Sequence, residues 1–389
     1  MSVHLTAGCT GKRSVEEHAV EPRGRRVLLV STPLPPAICG IGCYTSMLAK
    51  AWPGQDETVH LVNSGASVSS TVPGVSRIVE FGWSAASLER ALAAADGDCA
   101  VVQYAARGYS HSGVPWWMWL GLRRWKRASP ERRLTVYFHE LWADVALTHR
   151  RGILERASRW LARQLAELAD VVMTNTDNHK QRLQDLLPHL DVKTIPVGTN
   201  ILPPEEVPLF SERARGSFVV FGRAFGRLQA LESMAAHLGK WHDRGVLRIL
   251  HVVGPLEDRW ERQESMLLKK CLPPAAVMRH GALPGEQVSR LLASTRFALL
   301  GQPPQSLMKS TTFMAYASHG CCIVSSEVVD AVYEPMCLLL PPDALDDRAG
   351  WYRRAEASVA ALGEWYAHHA TWHRIAREIA GALPGVHRG

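Results

Sequence analysis

The sequence predicts an α/β protein made of two doubly wound parallel-sheet domains that face each other. Three observations carry this expectation. Apolar runs ended by Gly, Pro or Asn alternate along the chain with helical patterns, which is how buried parallel strands and their crossover helices read. A proline-rich break, Leu202-Pro-Pro-Glu-Glu-Val-Pro208, interrupts the alternation near its middle. The 389 residues, 47% of them apolar, are also enough for two cores of ordinary size. The divisions expected are a floppy polar extension over 1–23, a first domain over 24–205, a second over 206–345 and helices over 346–389.

In the first domain, strands are expected at Arg26–Ser31, Val59–Val62, Cys99–Tyr104, Leu134–Phe138, Val171–Thr174 and Lys193–Pro196. The first strand leads into a Pro- and Gly-rich loop through Gly42, then a helix from about Tyr44 to Trp52. Another helix carries Leu154, Ala157, Trp160, Leu161, Leu165 and Leu168 on one side. A second strand series opens at Ser217–Gly222 and continues at Arg248–Val253, Val277–His280, Phe297–Leu300 and Ile323–Ser325. The tail from Gly350 to Leu383 is expected to be helical and to cross back onto the first domain.

The net charge of +7 favours anionic partners, but the excess is modest for the length and no nucleic-acid-binding motif accompanies it. Eight cysteines are scattered through apolar or small-residue contexts, a pattern that suits a reducing cytoplasm. Cys39-Gly-Ile-Gly-Cys43 has three residues between its thiols and no histidine nearby, so no metal site is expected there. Residues 1–23 lack the apolar core of a signal peptide, and no run of about 18 apolar residues occurs. Asp96-Gly-Asp98 reads as a turn rather than a cation site.

The most informative stretch is Lys309-Ser-Thr-Thr-Phe-Met-Ala-Tyr-Ala-Ser-His-Gly320 and the apolar run after it. Ser310, Thr311 and Thr312 can cap a helix whose first N–H groups have no intrahelical partner, and Lys309 adds a cation at that positive dipole end. The same pattern also describes an ordinary capped helix on a sheet. His139 and Glu140 follow an apolar strand and should emerge at its carboxyl end, where open α/β sheets bind ligands. Gly40 and Gly42 lack a third glycine at dinucleotide-binding spacing, and no acidic residue ends a second strand, which argues against NAD. No pair of carboxylates suited to glycoside hydrolysis can be assigned.

Taken in order, Gly40-Ile-Gly42, Gln103-Tyr-Ala-Ala-Arg-Gly-Tyr-Ser-His-Ser-Gly-Val-Pro115, Phe138-His-Glu-Leu-Trp142, Ile195-Pro-Val-Gly-Thr-Asn200, Phe221-Gly-Arg223 and Lys309-Ser with Ala315-Tyr-Ala-Ser-His-Gly320 carry a resemblance. From about residue 25 to 330 the chain resembles the GT-B glycosyltransferases of the retaining family 4 group, in a bacterial branch. That resemblance implies two facing Rossmann-like domains with a C-terminal helix crossing back, and transfer of a sugar from a nucleotide-diphosphate donor without a metal or other cofactor. It implies donor contacts from Gly40, Gly42, Gly222, Arg223, Arg227, Ser310, Thr311 and Thr312, with Lys309, His139 and Glu140 at the reacting centre. Tyr104 and Tyr109 are the expected acceptor contacts, the acceptor being a glycan, a lipid-linked glycan or a small aglycone. Arg223 and Arg227 also read as a solvated basic loop, and His139 as a satisfied structural histidine.

One departure from the family is specific. Its two glutamates, eight positions apart, align with Leu307 and Ala315. Ribose recognition must then come from elsewhere, with Glu327 as the candidate, or be weak. A sugar-nucleotide epimerase of the same architecture and an inactive binding protein remain alternatives. Finally, Trp116-Trp-Met-Trp-Leu-Gly-Leu-Arg-Arg-Trp-Lys-Arg127, with Arg132 and Arg133 behind it, reads either as a core helix with a solvated basic end or as a contact with the inner face of a membrane.

Overall fold

The structure, a computed structural model, describes residues 25–37, 39–54, 56–63, 75–142, 150–327, 333–346 and 350–384. The extension expected over 1–23 lies outside them. The first half contains β1 (Arg26–Ser31), α1 (Gly40–Lys50), β2 (Glu57–Asn63), β3 (Arg77–Phe81), α2 (Ala85–Ala95), β4 (Cys99–Tyr104), α3 (Ala106–Tyr109), α4 (Trp116–Arg127), β5 (Arg133–Phe138), α5 (Arg150–Leu168), β6 (Val171–Thr174), α6 (Asp177–Leu186) and β7 (Val192–Thr194). The second half contains β8 (Ala214–Phe221), α7 (Ala224–Asp243), β9 (Ile249–Val253), α8 (Asp258–Cys271), β10 (Val277–Gly281), α9 (Gly285–Ser294), β11 (Thr295–Leu300), α10 (Thr311–Ser318), β12 (Cys322–Ser325), α11 (Trp351–His369) and α12 (Trp372–Ala382).

Two separate parallel sheets result. The first runs β3-β2-β1-β4-β5-β6-β7 and the second β10-β9-β8-β11-β12. Successive side chains of a strand point to opposite faces, and β1 shows it: Val27 and Leu29 enter one core, Leu28 and Val30 the other. Both faces are apolar because helices cover both. Strand order reverses between β1 and β4 in one sheet and between β8 and β11 in the other. Such switch points leave a crevice beyond the carboxyl ends of the strands, and here the two crevices face each other.

The C-terminal helices cross back. Ile375, Ala376 and Ile379 of α12 share one core with Tyr44 and Leu48 of α1. Trp372 donates from Nε1 to the carbonyl of Thr199 at 2.6 Å. Its ring fills the space beside Gly198, where a Cβ would lie 2.6 Å from the indole.

Some expectations are corrected. The Pro- and Gly-rich loop ends earlier than expected: α1 begins at Gly40 rather than near Tyr44, because Cys39 is extended and the helical turn starts directly after it. The apolar side assigned to α5 is only partly right, since Leu154 and Trp160 are exposed while Leu161, Ala162, Leu165 and Ala166 are core. The edge strand β3, whose residues are mostly exposed or half-buried, was not expected. In α4, Trp117 and Trp125 are buried, so the tryptophan-rich segment is first a core helix. Asp96 adopts φ 52° as the C-cap of α2, so Asp96-Gly-Asp98 is a turn. Among the described residues no helix is long and apolar enough to cross a membrane.

Candidate functional site

A cleft of about 820 Å³ lies between the domains. Its walls come from the places the topology predicts: the start of α1, the ends of β4 and β5, the β8–α7 turn, the segment after β11 and the start of α10. Of the residues expected in a site, Gly40, His139, Glu140, Gly222, Arg223, Lys309, Ser310, Thr311 and Thr312 all line it.

Helices α1, α7 and α10 all begin at this cleft. The α10 start is capped by Ser310, whose hydroxyl accepts from the Phe313 N–H at 3.1 Å. The α1 and α7 starts have no side-chain cap, leaving backbone donors for a ligand. Together they present the positive ends of three helix dipoles to one volume. Lys309, exposed at the mouth of α10, pairs with no carboxylate among the described residues. Arg223 carries a side chain 85% exposed and only a 3.2 Å contact from Nε to Glu257, an open pair that costs little to break. Gly222 has φ 130°, a left-handed conformation that favours glycine, and a Cβ there would come within 3.2 Å of the Thr312 hydroxyl. The Tyr316 hydroxyl of α10 accepts from the Phe221 N–H at 2.7 Å, tying this helix to the end of β8.

His139 is buried at the opposite wall, its ring between Tyr44 and Tyr137 with centroids at 4.7 and 4.5 Å. Its Nε2 lies 2.7 Å from Gln103 Oε1. With that amide orientation Nε2 carries the proton and Nδ1 is left as an acceptor. Burial, helped by the charge of His179, lowers the His139 pKa to about 3, so the ring is neutral near pH 7. Glu140, the next residue, is exposed at the cleft.

Five expected residues do not act as expected. Arg227 is buried, pairs with Glu264 at 2.9 Å, and donates from Nη1 to the Gly222 carbonyl at 2.6 Å. It does not line the cleft; it holds the turn that carries Arg223. Gly42 is a packing glycine, since a Cβ there would sit 1.9 Å from the Pro33 carbonyl oxygen. Tyr104 and Tyr109 are fully buried in the first domain. Tyr109 donates to the Gln103 carbonyl at 2.9 Å, so neither ring can meet an acceptor. Glu327 is exposed just past β12 and is absent from the cleft wall. Leu307 and Ala315, where the glutamates of the family pattern would stand, are buried in the core.

Sequence reasoning missed Asn175 and Gln302. Asn175 donates from Nδ2 to the His139 carbonyl at 3.0 Å, which leaves Oδ1 a buried acceptor with no donor among the described residues. Gln302 Oε1 is in the same state, and both residues line the cleft. A buried acceptor without a partner is costly unless a ligand satisfies it. The only signal available was position, just beyond the ends of β6 and β11.

No protein-family profile and no curated protein matches the chain. Solved structures do match in fold. A sucrose-phosphate synthase from Thermosynechococcus elongatus superposes with a TM-score of 0.60 at 13% identity, over 92% of this chain and 98% of that one. The Anabaena protein HepE, solved in complex with UDP-glucose, gives 0.60 at 11% identity over the same shares. A Listeria monocytogenes protein described as a UDP-N-acetylglucosamine 2-epimerase gives 0.55 at 11%, over 92% and 95%. At these identities the likeness shows the fold, and the chain has the GT-B fold.

Proposed function

We propose that the protein is a glycosyltransferase that moves a sugar from a nucleotide-diphosphate donor, held in the interdomain cleft, to a hydroxyl-bearing acceptor. The observation that carries this reading is the opposition of Lys309 and the α10 start to His139 and Glu140 across one cleft. HepE, of the same fold, was solved with UDP-glucose, and the family 4 resemblance supports retention of the anomeric configuration.

As the glycosidic bond breaks, the leaving diphosphate gains charge. Lys309 Nζ, Arg223 after release from Glu257, and the N–H groups at Thr311 and Thr312 are donors suited to that charge. Side-chain cations and helix dipoles supply the neutralisation, so the reading is metal-independent. Neutral His139 holds sugar or acceptor hydroxyls through Nδ1, and Asn175 Oδ1 and Gln302 Oε1 accept from hydroxyls. Glu140 orients the acceptor hydroxyl. With Leu307 and Ala315 in place of carboxylates, ribose hydroxyls are held more weakly than in the usual family site.

A sugar-nucleotide epimerase is a second reading, favoured by the likeness to the Listeria protein and by Glu140 as a carboxylate beside the sugar position. A panel of UDP-, GDP-, TDP- and ADP-sugars, with and without candidate acceptors and EDTA, separates the two. Nucleotide release that requires acceptor and survives EDTA, with the product anomer matching the donor by NMR, supports retaining transfer. Epimerised donor without acceptor supports the second reading, and tight nucleotide binding without turnover supports an inactive binding protein.

Such an enzyme would work in the cytoplasm, in glycan biosynthesis. A membrane-proximal acceptor would suit the outer face of α4 and α5, where exposed Trp116 and Trp160 stand near Arg123, whose guanidinium lies over Trp119 at 5.1 Å.

A further inference from the structure

Beside the main cleft is a smaller pocket of about 260 Å³, walled by the first domain and closed on one side by Lys309 of the second. It opens onto the cleft through two shared residues, Glu140 and Lys309. Its size is just under the roughly 300–1,000 Å³ of pockets that hold drug-sized ligands, so it accommodates a small molecule or the terminal unit of a larger one.

Three cations line the wall. Arg107 enters from α3, Arg182 from α6 and Lys309 from the segment before α10. Two carboxylates, Glu140 and Glu155, also line it. Among the described residues of the wall, three cations thus stand with two carboxylates. Arg182 is fixed in place: it donates to the Trp142 carbonyl at 2.7 Å and its guanidinium lies 4.8 Å from the centre of that indole. His179 is the second observation. It is only 6% exposed, it lines the pocket, and its buried Nδ1 has no partner among the described residues. Burial and the charges of Lys309 and Arg182 hold its pKa at about 4, so it meets a ligand as a neutral imidazole.

We infer that this side pocket is the acceptor subsite and that it takes an acceptor bearing an oxyanion, a phosphate or a carboxylate. The inference rests on the transferase reading and deepens it by naming the acceptor class. The acceptor hydroxyl lies at Glu140, next to the donor sugar, and the oxyanion lies deeper, at Arg107 and Arg182. His179 hydrogen-bonds through Nδ1 to an acceptor O–H. Transfer then forms the bond from the acceptor oxygen to the anomeric carbon, breaks the bond from that carbon to the diphosphate, and passes the acceptor proton to the departing diphosphate.

The test uses the full chain in saturating UDP, so that the diphosphate site is filled. Inorganic phosphate and acetate are titrated against chloride at matched ionic strength, followed by thermal shift, in the wild type, in Arg107→Glu and in Arg127→Glu. Arg127 is an exposed residue at the end of α4 that does not line the pocket. The expected result is a saturable rise in melting temperature with phosphate or acetate, lost in Arg107→Glu and kept in Arg127→Glu. Whichever anion acts identifies the oxyanion. Equal behaviour of all three anions, or a rise retained in Arg107→Glu, overturns the inference. UDP binding is measured separately. Failure to bind UDP or any other nucleoside diphosphate sinks the transferase reading, while an oxyanion response abolished by Arg107→Glu in the same protein still stands for the pocket.

Discussion

His139 Nε2 and Gln103 Oε1 lie 2.7 Å apart, both buried at the ends of neighbouring strands, so the imidazole is fixed in orientation before any ligand arrives. Replacing Gln103→Leu keeps the volume and removes the hydrogen bond. Turnover is expected to fall by up to about 10²-fold, the scale of a small misplacement in a reacting site. Because burial holds His139 at a pKa of about 3, its titration contributes no inflection to the wild-type rate profile between pH 5 and 8. A pH–rate profile of both proteins checks both statements.

Acid stability follows from the same buried histidines. Burial lowers His139 to about 3, His179 to about 4 and His319 to about 4, against an unfolded value near 6.5. Below 6.5 the unfolded chain binds protons that the native chain refuses. These groups therefore give full stability above pH 6.5 and lose it as pH falls toward 4. Melting temperatures measured from pH 7.5 to 5 should decline, and His319→Gln should flatten the decline even if it lowers the value at pH 7.5. An unchanged slope would remove His319 from the account.

The two arginines after β8 should separate cleanly. Arg227→Met leaves Glu264 as a buried carboxylate without its main partner, a loss of about 3–5 kcal/mol, read by denaturant unfolding. Arg223→Ala, with a side chain 85% exposed, should leave unfolding unchanged and lower nucleotide release instead. A reversal of these two effects would show that the roles have been exchanged.

That pair also shows what was legible in the sequence. The apolar runs place every strand of the second sheet and most of the first, because strands buried on both faces leave long apolar stretches; β3 escaped because its residues are mostly half-buried or exposed. The residues at the mouths of the switch points, Gly40, His139, Gly222, Arg223 and Lys309 to Thr312, reach the cleft as their position after strands implied. Spacing could not tell Arg223 from Arg227: Arg223 is the extended residue just before α7 and reaches solvent, whereas Arg227 lies within the helix and turns inward to Glu264. Tyr104 and Tyr109 share a segment with cleft residues but point into the core, and Asn175 carried no motif.

The link from the C-terminal helix to the site is also testable. Trp372 of α12 meets the Tyr44 ring at 5.0 Å, and Tyr44 meets His139 at 4.7 Å. Trp372→Ala should cost about 3–5 kcal/mol of stability and lower turnover in the fraction that remains folded. Stability lost with turnover per folded molecule intact would leave α12 a brace without influence on His139.

The most direct test of the central claim is nucleoside diphosphate release from a panel of sugar donors by the wild type and Lys309→Ala, with melting temperatures in parallel. Lys309 is exposed at the mouth of α10, so the variant should fold normally. Its release should fall by about 10²-fold or more, the loss expected for one transition-state donor. Equal rates in the two proteins would contradict the assignment of this cleft as the place where the diphosphate departs.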